Sequence, residues 1–575
     1  MPSFDRRSFL SASAASAVAA TLAGVLRPAL VNAVPAGTDG SGPVPPDFPP
    51  GIPLFRQRYQ NWSKEIVVDA VWTCSPRSAD DVVTLANWAH ASGHRLRPRG
   101  AMHGWTPFTI ENGENLDRVV LVDTMTALTG VTVDTASSTV TAGAGATLSD
   151  VLQALEDHGL GWSSVPAPGV LSIAGALAVG AHGAVVRAVG EQVPIGSSSG
   201  SLSNLVTSMT VVAWNGTGYA LRTVARSEAD APDLAVHLGR AFVTEVTMQA
   251  HPATPLRCES ITDIGWAELF GAPGAPGRTY VDFLDRSGRA EAIWYPFTDT
   301  PWLKVWTPTP VRPPSSREVD GPYNYTFSDT LPEAVSDAIG AVVSGRTELT
   351  PALGQVFLAT TVAGLAATGS SDIWGAPKNT QFYIRPSTLL LTEGGGAVIT
   401  ARANVAAVLH DFTRWFRGRT EHYASLGQFP INGPVEIRCC GLDQGSDVLV
   451  DSAGPPTISA MRPVPDRPEW DTAVWLNVLG IPGTPGMFAF YREMEQWMRE
   501  RFDGADAVFR PEWSKGWAFD EDRPYRDVQA LTATIPDSFR DGYSGERDWD
   551  SVVGTVDRLD PHRVFGNAFL DPFVR

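Results

Sequence analysis

The stretch that most constrains this chain is SSVPAPGVLSIAGALAVGAHG, residues 163–183, with glycines at 169, 175, 180 and 183 and almost no bulky side chain. Backbone this bare can present its N–H groups to a large anion with no side chain in the way. A second such stretch, RLRPRGAMHGW at 95–105, has Pro98 stiffening the approach, Gly100 and Gly104 freeing the backbone, and one histidine, His103, between Met102 and Gly104. Neither is a Rossmann fingerprint. AGAGATLSD (142–150) has Gly143 and Gly145 but no glycine at 148, and no acidic residue follows about 20 positions on to take a ribose. GSSSGS (196–201) lacks the Lys-Ser/Thr of a P-loop. A dinucleotide bound here is therefore held by two separated glycine-rich loops.

Around these loops the pattern alternates strands and helices. SADDVVTLANWAHASG (78–93) predicts a helix capped by Ser78 and stopped at Gly93. HRLRPRG and RVVLVD (118–123) read as strands, and VTVDTASSTVTAGAGA (131–146) as a hairpin. TLSDVLQALEDHG (147–159) predicts an amphipathic helix with Thr147 and Asp150 as its capping box. Residues 205–224 form a second hairpin turning at Asn215-Gly216, and 241–250 a further strand. After about residue 255 aromatic residues cluster: Trp266, Phe270, Tyr280, Phe283, Trp294, Tyr295, Phe297, Trp302 and Trp306. RAEAIWYPFTD (289–299) reads as sheet, and helices are expected at 331–344, 401–418 and 486–502. These features predict a second, mixed domain with an aromatic-lined cavity. The apolar tail PHRVFGNAFLDPFVR (561–575) is expected to pack back on the first domain.

At 575 residues the chain exceeds a single core. Its net charge of -18 repels phosphate backbones, so nucleic acid is not an expected partner. The four cysteines, Cys74, Cys258, Cys439 and Cys440, show no CxxC spacing, so no metal site is expected. They read as small buried hydrophobes, with a Cys74–Cys258 bridge left open. At the N-terminus Arg6-Arg7 precedes an Ala-rich apolar run, and small residues at 31–36 offer cleavage points. This pattern looks like a twin-arginine (Tat) export signal over 1–36.

Several charged residues stand in apolar surroundings. PVEIRCCGLD (434–443) places Glu436 and Arg438 on one face of a strand, with Val435 and Ile437 opposite. Glu291 shares a face with Ile293 and Tyr295. LLLTEGGG (389–396) ends an apolar run on Glu393, and AVWLNVLG (473–480) buries Asn477 in another. Acids so placed are candidates for raised pKa values.

RPRGAMHGW, PAPGVLSIAGALAVGAHG, GSLSNLVTSMTVV and AFVTEVT cover about residues 65–250 and resemble the FAD-binding domain of the vanillyl-alcohol oxidase superfamily. The resemblance implies an FAD gripped by Arg99, Gly100, Ala101, Met102 and Gly104, and bonded covalently through His103. From the second loop it implies contacts by Pro168, Gly169, Ser172, Ala174, Gly175, Gly180 and Gly183. Ser203 and Val243 complete the cradle, and His182 packs or hydrogen-bonds nearby. With Glu291 before IWYPF, Glu393, Glu436, Arg438 and Asn477 added, nearly the whole mature chain is similar to the bacterial cholesterol oxidases of the covalent-FAD class.

The expected architecture is an α+β fold: a signal at 1–36, an arm at 37–64, an FAD-binding domain at 65–255 of the PCMH-like type, a substrate-binding cap at 256–530 and a returning segment at 531–575. The resemblance further implies oxidation of a 3β-hydroxysterol, with O2 reduced to hydrogen peroxide and the Δ5 double bond moved to Δ4. Glu436 is then the base, Glu393 its alternative, and Arg438 the fixed cation. Asn477 holds substrate oxygen or flavin, Glu291 or Glu393 shuttles the isomerisation proton, and Glu291 pairs with Arg438 to gate oxygen. A secreted or cell-surface monomer in transient contact with sterol-containing membranes is expected. The alternative is an oxidase of the same superfamily acting on alditols, sugars or lactones, against which the aromatic richness of 266–306 argues.

Overall fold

The computed structural model describes residues 43–325, 333–386, 388–543 and 546–574. The twin-arginine segment lies outside them. The first part of the chain builds two sheets. β1 (Leu54–Gln60), β2 (Val67–Cys74), β3 (Arg95–Arg99) and β4 (Val119–Asp123) form a mixed sheet in the order β1-β2-β4-β3. The crossover to β3 is the helix α1 (Ala79–Ser92), where the Ser78 hydroxyl accepts the Asp81 N–H and Gly93 ends the helix at a φ of 69°. Residues 54–60, assigned from sequence to the arm ahead of this sheet, are its edge strand. The Gly/Pro segment from residue 43 is pinned as well: the Trp72 and Trp88 indoles donate to the Pro43 and Pro46 carbonyls at 3.0 Å each.

The second sheet is antiparallel: β5 (Val131–Asp134), β6 (Thr139–Gly143), β8 (Val206–Trp214), β9 (Tyr219–Ala225) and β10 (Phe242–Gln249), in the order β5-β6-β10-β8-β9. Both expected hairpins are present. The helix α2 (Leu148–Glu156) starts at Thr147, whose hydroxyl accepts the Asp150 N–H, and buries Leu148, Val151, Leu152 and Leu155. The bare stretch folds as loop, then the short helix α3 (Ile173–Ala178), then loop. A two-stranded ribbon, β7 (Leu160–Gly161) with β11 (His251–Pro252), marks the exit from this region.

The rest of the chain is organised by a nine-stranded sheet in the order β15-β16-β12-β14-β13-β18-β19-β17-β20. Its strands are β12 (Leu256–Ile261), β13 (Ala290–Trp294), β14 (Trp302–Pro308), β15 (Arg317–Val319), β16 (Asp372–Gly375), β17 (Thr392–Thr400), β18 (Val435–Gly441), β19 (Thr472–Gly480) and β20 (Ala507–Pro511). Strand alternation divides the two faces. Ala292, Trp294, Val435, Ile437, Cys439, Leu476 and Val478 face a core closed by α4 (Tyr280–Ser287), α6 (Val405–Ser425) and α7 (Met487–Arg501), which contribute Leu284, Phe412, Phe416, Phe490 and Met494. The other face carries Glu291, Ile293, Glu436, Arg438 and Trp475 and roofs a cavity. On that side lies α5 (Thr350–Thr368). The helix expected at 331–344 is found at Glu333–Val343, its expected first residues lying outside the described ones.

All four cysteines are free and buried; Cys74 lies in β2 and Cys258 in β12, so no bridge joins them. The chain ends by returning to the first sheet after α8 (Trp549–Leu559). The Leu96 N–H donates to the Val564 carbonyl at 2.8 Å, and the Asn567 amide donates to the Phe108 carbonyl at 2.7 Å.

Candidate active site

The strand β3 delivers the chain into the 100–104 loop. Arg99, its last residue, turns away to an ion pair with Asp123 at 2.9 Å and does not line the cavity. A Cβ on Gly100 would overlap the Ser172 hydroxyl, so the two glycine-rich loops touch here and tolerate no larger residue. Met102 takes a φ of 56°, which swings His103 toward Trp62, its ring centroid 3.8 Å away. Burial, with the nearby Lys515 charge, pushes the His103 imidazole down to about 3. The ring is thus neutral at working pH and keeps a nucleophilic lone pair.

A cavity of about 450 Å³ runs from this loop to the nine-stranded sheet. Gly100, Ala101, Met102, His103 and Gly104 line it at one end. Pro168, Ser172, Ala174, Gly175, Gly180, His182, Gly183 and Val243 line its side. Gly169 and Ser203 do not: Gly169 packs against Ser149 and Phe382, and the Ser203 hydroxyl donates to the Leu177 carbonyl at 2.8 Å. At Gly104 an added Cβ would meet no protein atom within 4 Å, so it is cavity space that a side chain would take. Two bare loops, a neutral histidine and this open lining fit a flat anionic dinucleotide.

The sheet end is charged and aromatic. Arg438 Nη1 donates to Glu436 at 3.0 Å, and Arg438 Nη2 reaches Glu512 at 3.6 Å. Burial alone would weaken the arginine's hold on its proton, but Glu512, Glu436, Glu393 and Glu291 surround it and keep it charged. Burial and then the Glu393 charge push Glu436 up to about 7. Glu393 is likewise raised by burial, against the pull of Lys515, its ion-pair partner. Glu512 goes the other way: burial opposes its charge, yet the His182 ring, 3.7 Å away, and the charges of Lys515 and Arg438 hold it well below the carboxylate range. His182 stacks on Trp475 with centroids 3.8 Å apart. Glu291 accepts the Tyr383 hydroxyl at 2.5 Å and is not the ion-pair partner of Arg438, which holds Glu436 and Glu512.

Asn477 shares the face of Glu436 but lies beneath the lining, donating its amide to Glu512 at 2.8 Å. Glu512 and Lys515 are not among the residues that the sequence pattern points to. They arrive on PEWSKGW, a loop after β20 in which strand periodicity has ended; the only signal is a charged pair interleaved with Trp513 and Trp517. That loop also clamps the 100–104 loop. The Trp105 N–H donates to the Ser514 carbonyl at 2.9 Å, the Thr106 hydroxyl to the Trp513 carbonyl at 2.6 Å, and Lys515 Nζ sits 3.9 Å over the Trp105 ring. Of the aromatic cluster beyond residue 255, Tyr295, Trp302 and Trp306 line the cavity, while Trp266, Phe270, Tyr280 and Trp294 belong to the core on the opposite side.

Residues 72–221 match the FAD-binding domain family. Joined to a cavity where a part-buried carboxylate and arginine stand on the lining with the dinucleotide loops, that module defines an FAD-dependent alcohol oxidase. Residues 255–575 match the substrate-binding domain of cholesterol oxidase. Cholesterol oxidase from Brevibacterium sterolicum, in two solved structures of which one carries a histidine-to-alanine substitution, is 57% identical with a TM-score of 0.91, over 93% of this chain and 99% of that one. A solvent-stable cholesterol oxidase is 45% identical with a TM-score of 0.91, over 93% of this chain and 100% of that one. The chain belongs to the cholesterol oxidase family. A xylooligosaccharide oxidase from Myceliophthora thermophila, 14% identical with a TM-score of 0.51 over 86% of this chain and 90% of that one, shares the fold alone.

Proposed function

We propose that this protein oxidises the 3β-hydroxyl of cholesterol and related sterols and then moves the Δ5 double bond to Δ4. The observation that carries this reading is the Glu436–Arg438 pair on the cavity face of β18, facing a lining in which Tyr295, Trp302, Trp306 and Leu479 stand and which leads to the His103 loop. Glu436 takes the hydroxyl proton: its carboxylate titrates near working pH, which suits a general base. Arg438, held charged by its carboxylates, stabilises the oxygen as negative charge develops there. Tyr295, Trp302, Trp306 and Leu479 supply the apolar surface a fused-ring substrate needs. An FAD held along the 100–104 and 168–183 loops would supply the two-electron acceptor for this oxidation and, with O2 as the final oxidant, yield hydrogen peroxide.

In the second step a proton leaves C4 and a proton arrives at C6, with no change in oxidation level. Glu291 and Glu393 are the carboxylates placed for it. Glu291 is the better carrier, because its partner is a neutral phenol, whereas Glu393 is tied to the Lys515 cation. A covalent bond from His103 to the flavin is part of this reading, supported by a neutral imidazole at the end of the cavity. Export by the Tat route rests on Arg6-Arg7 and the apolar run behind them.

Contact with sterol-containing membranes is supported by α5. Its 19 residues carry no charge, Val356 and Val362 are 41% and 42% exposed, and Phe357, Thr360 and Thr361 line the cavity on its inner side. Its exposed valines present an uncharged apolar surface that lipid can cover, beside the cavity that its inner side lines. The test is a peroxide assay on cholesterol beside an alditol. Turnover of cholesterol supports the reading; turnover of the alditol alone removes it.

A further inference from the structure

Lys304 lies in β14 between Trp302 and Trp306 and is fully buried. Among the described residues its ammonium has no hydrogen-bond partner. It sits in a box of rings, 3.1 Å from the Tyr383 centroid, 4.8 Å from Trp306, 5.0 Å from Tyr325 and 5.3 Å from Trp302. The register puts it directly across from Glu291, which in turn stands across from Arg438, so the three share the cavity face of the sheet in one row. Lys304 does not line the cavity; Tyr383, Trp302 and Trp306 do, and they cover it. A buried ammonium with no carboxylate or carbonyl hydrogen-bonded to it is expensive. Its placement over the face of the phenol that donates to Glu291 gives that cost a purpose. A cation against the ring draws electron density from it and strengthens the O–H as a donor.

We propose that Lys304 is a positioning residue that acts on Glu291 through the Tyr383 ring, fixing the phenol on the carboxylate and favouring its ionised form, ready to take the C4 proton. The inference rests on the isomerisation role proposed for Glu291. The titratable groups around Lys304 are Cys258 on β12, Glu291 on β13, Glu436 on β18, Tyr325 and Tyr383. Burial outweighs the carboxylates among them and pulls the ammonium down to about 8, so it stays charged through the acid and neutral range.

The test uses the holoenzyme with the Δ5-3-ketosteroid supplied directly, so that isomerisation is read without oxidation, by the absorbance of the conjugated product across pH. In Lys304→Met, which keeps the volume and removes the charge, the acid limb of the isomerisation profile should move up by roughly one to three pH units. Tyr383→Phe should move it the same way, and the double variant no further than the larger single one. A purely structural lysine predicts a lower Tm and an unmoved limb; the proposal predicts a moved limb and a Tm at least as high as wild type. If Lys304→Met does not fold, Tyr383→Phe still tests the route, because an unmoved limb in that variant overturns the proposal. A limb unmoved in these variants while Glu291→Gln abolishes isomerisation overturns the proposal and leaves the role of Glu291 standing. If Glu291→Gln isomerises normally, the role of Glu291 falls first and the proposal with it.

Discussion

A carboxylate that titrates near 7 inside a cluster of like charges is where the chemistry and the stability of this site meet. Because the folded state raises Glu436 above its unfolded value, ionising it opposes folding, and stability is lost as pH rises through about 7. Catalysis needs the ionised form. Oxidation should therefore fall as pH drops below about 7, and Glu436→Gln should lower kcat by roughly 10²–10⁴-fold with the flavin still bound. The same variant should gain Tm over wild type as pH is raised from about 5 to about 8. A loss under about tenfold would move the base to Glu393 or Glu291. Glu436, Arg438 and Glu291 are legible from the sequence because a period of two in a strand fixes which side chains share a face. Tyr383, Glu512 and Lys304 are not: the first two come from loops, and Lys304 is set by a cross-strand register that no local pattern encodes.

Helices and hairpins are legible where capping chemistry is local. Ser78, Thr147 and the Asn215-Gly216 turn sit where their side-chain and backbone preferences place them. The helix expected at 401–418 is found at Val405–Ser425, later at both ends, because a turn at Arg402–Asn404 precedes it and its buried face, through Thr420, keeps packing against the sheet. For α5 the sequence signal is weak: a helix apolar all round has no polar face to set its orientation. Its exposed side has a measurable consequence. Val356→Asp with Val362→Asp should slow peroxide formation on cholesterol in vesicles several-fold and leave turnover of detergent-dissolved cholesterol within about twofold. Equal slowing in both would place the effect inside the cavity instead.

Over the whole molecule, the tail and the 510–517 loop bind the first sheets to the nine-stranded one through the segment that follows His103. Asn567 donates to the Phe108 and Pro107 carbonyls, and its own oxygen accepts the Leu570 N–H at 2.6 Å. Asn567→Ala leaves these buried groups unpaired and should cost about 2–3 kcal/mol, read as a lower denaturation midpoint. An unchanged midpoint would mean that the tail is held by its aromatic contacts alone. The two-part organisation is visible in the sequence as a change from glycine-rich to aromatic texture. The path by which the tail returns to the first sheet is visible only as apolar character, since long-range pairing leaves no local mark. The central claim, a flavin held by the His103 loop and serving a sterol oxidase, has one direct measurement: acid-precipitate the purified protein after assaying peroxide release on cholesterol. Peroxide together with a yellow pellet, whose colour moves to the supernatant in His103→Ala, is the result expected. A colourless protein that releases no peroxide would contradict it.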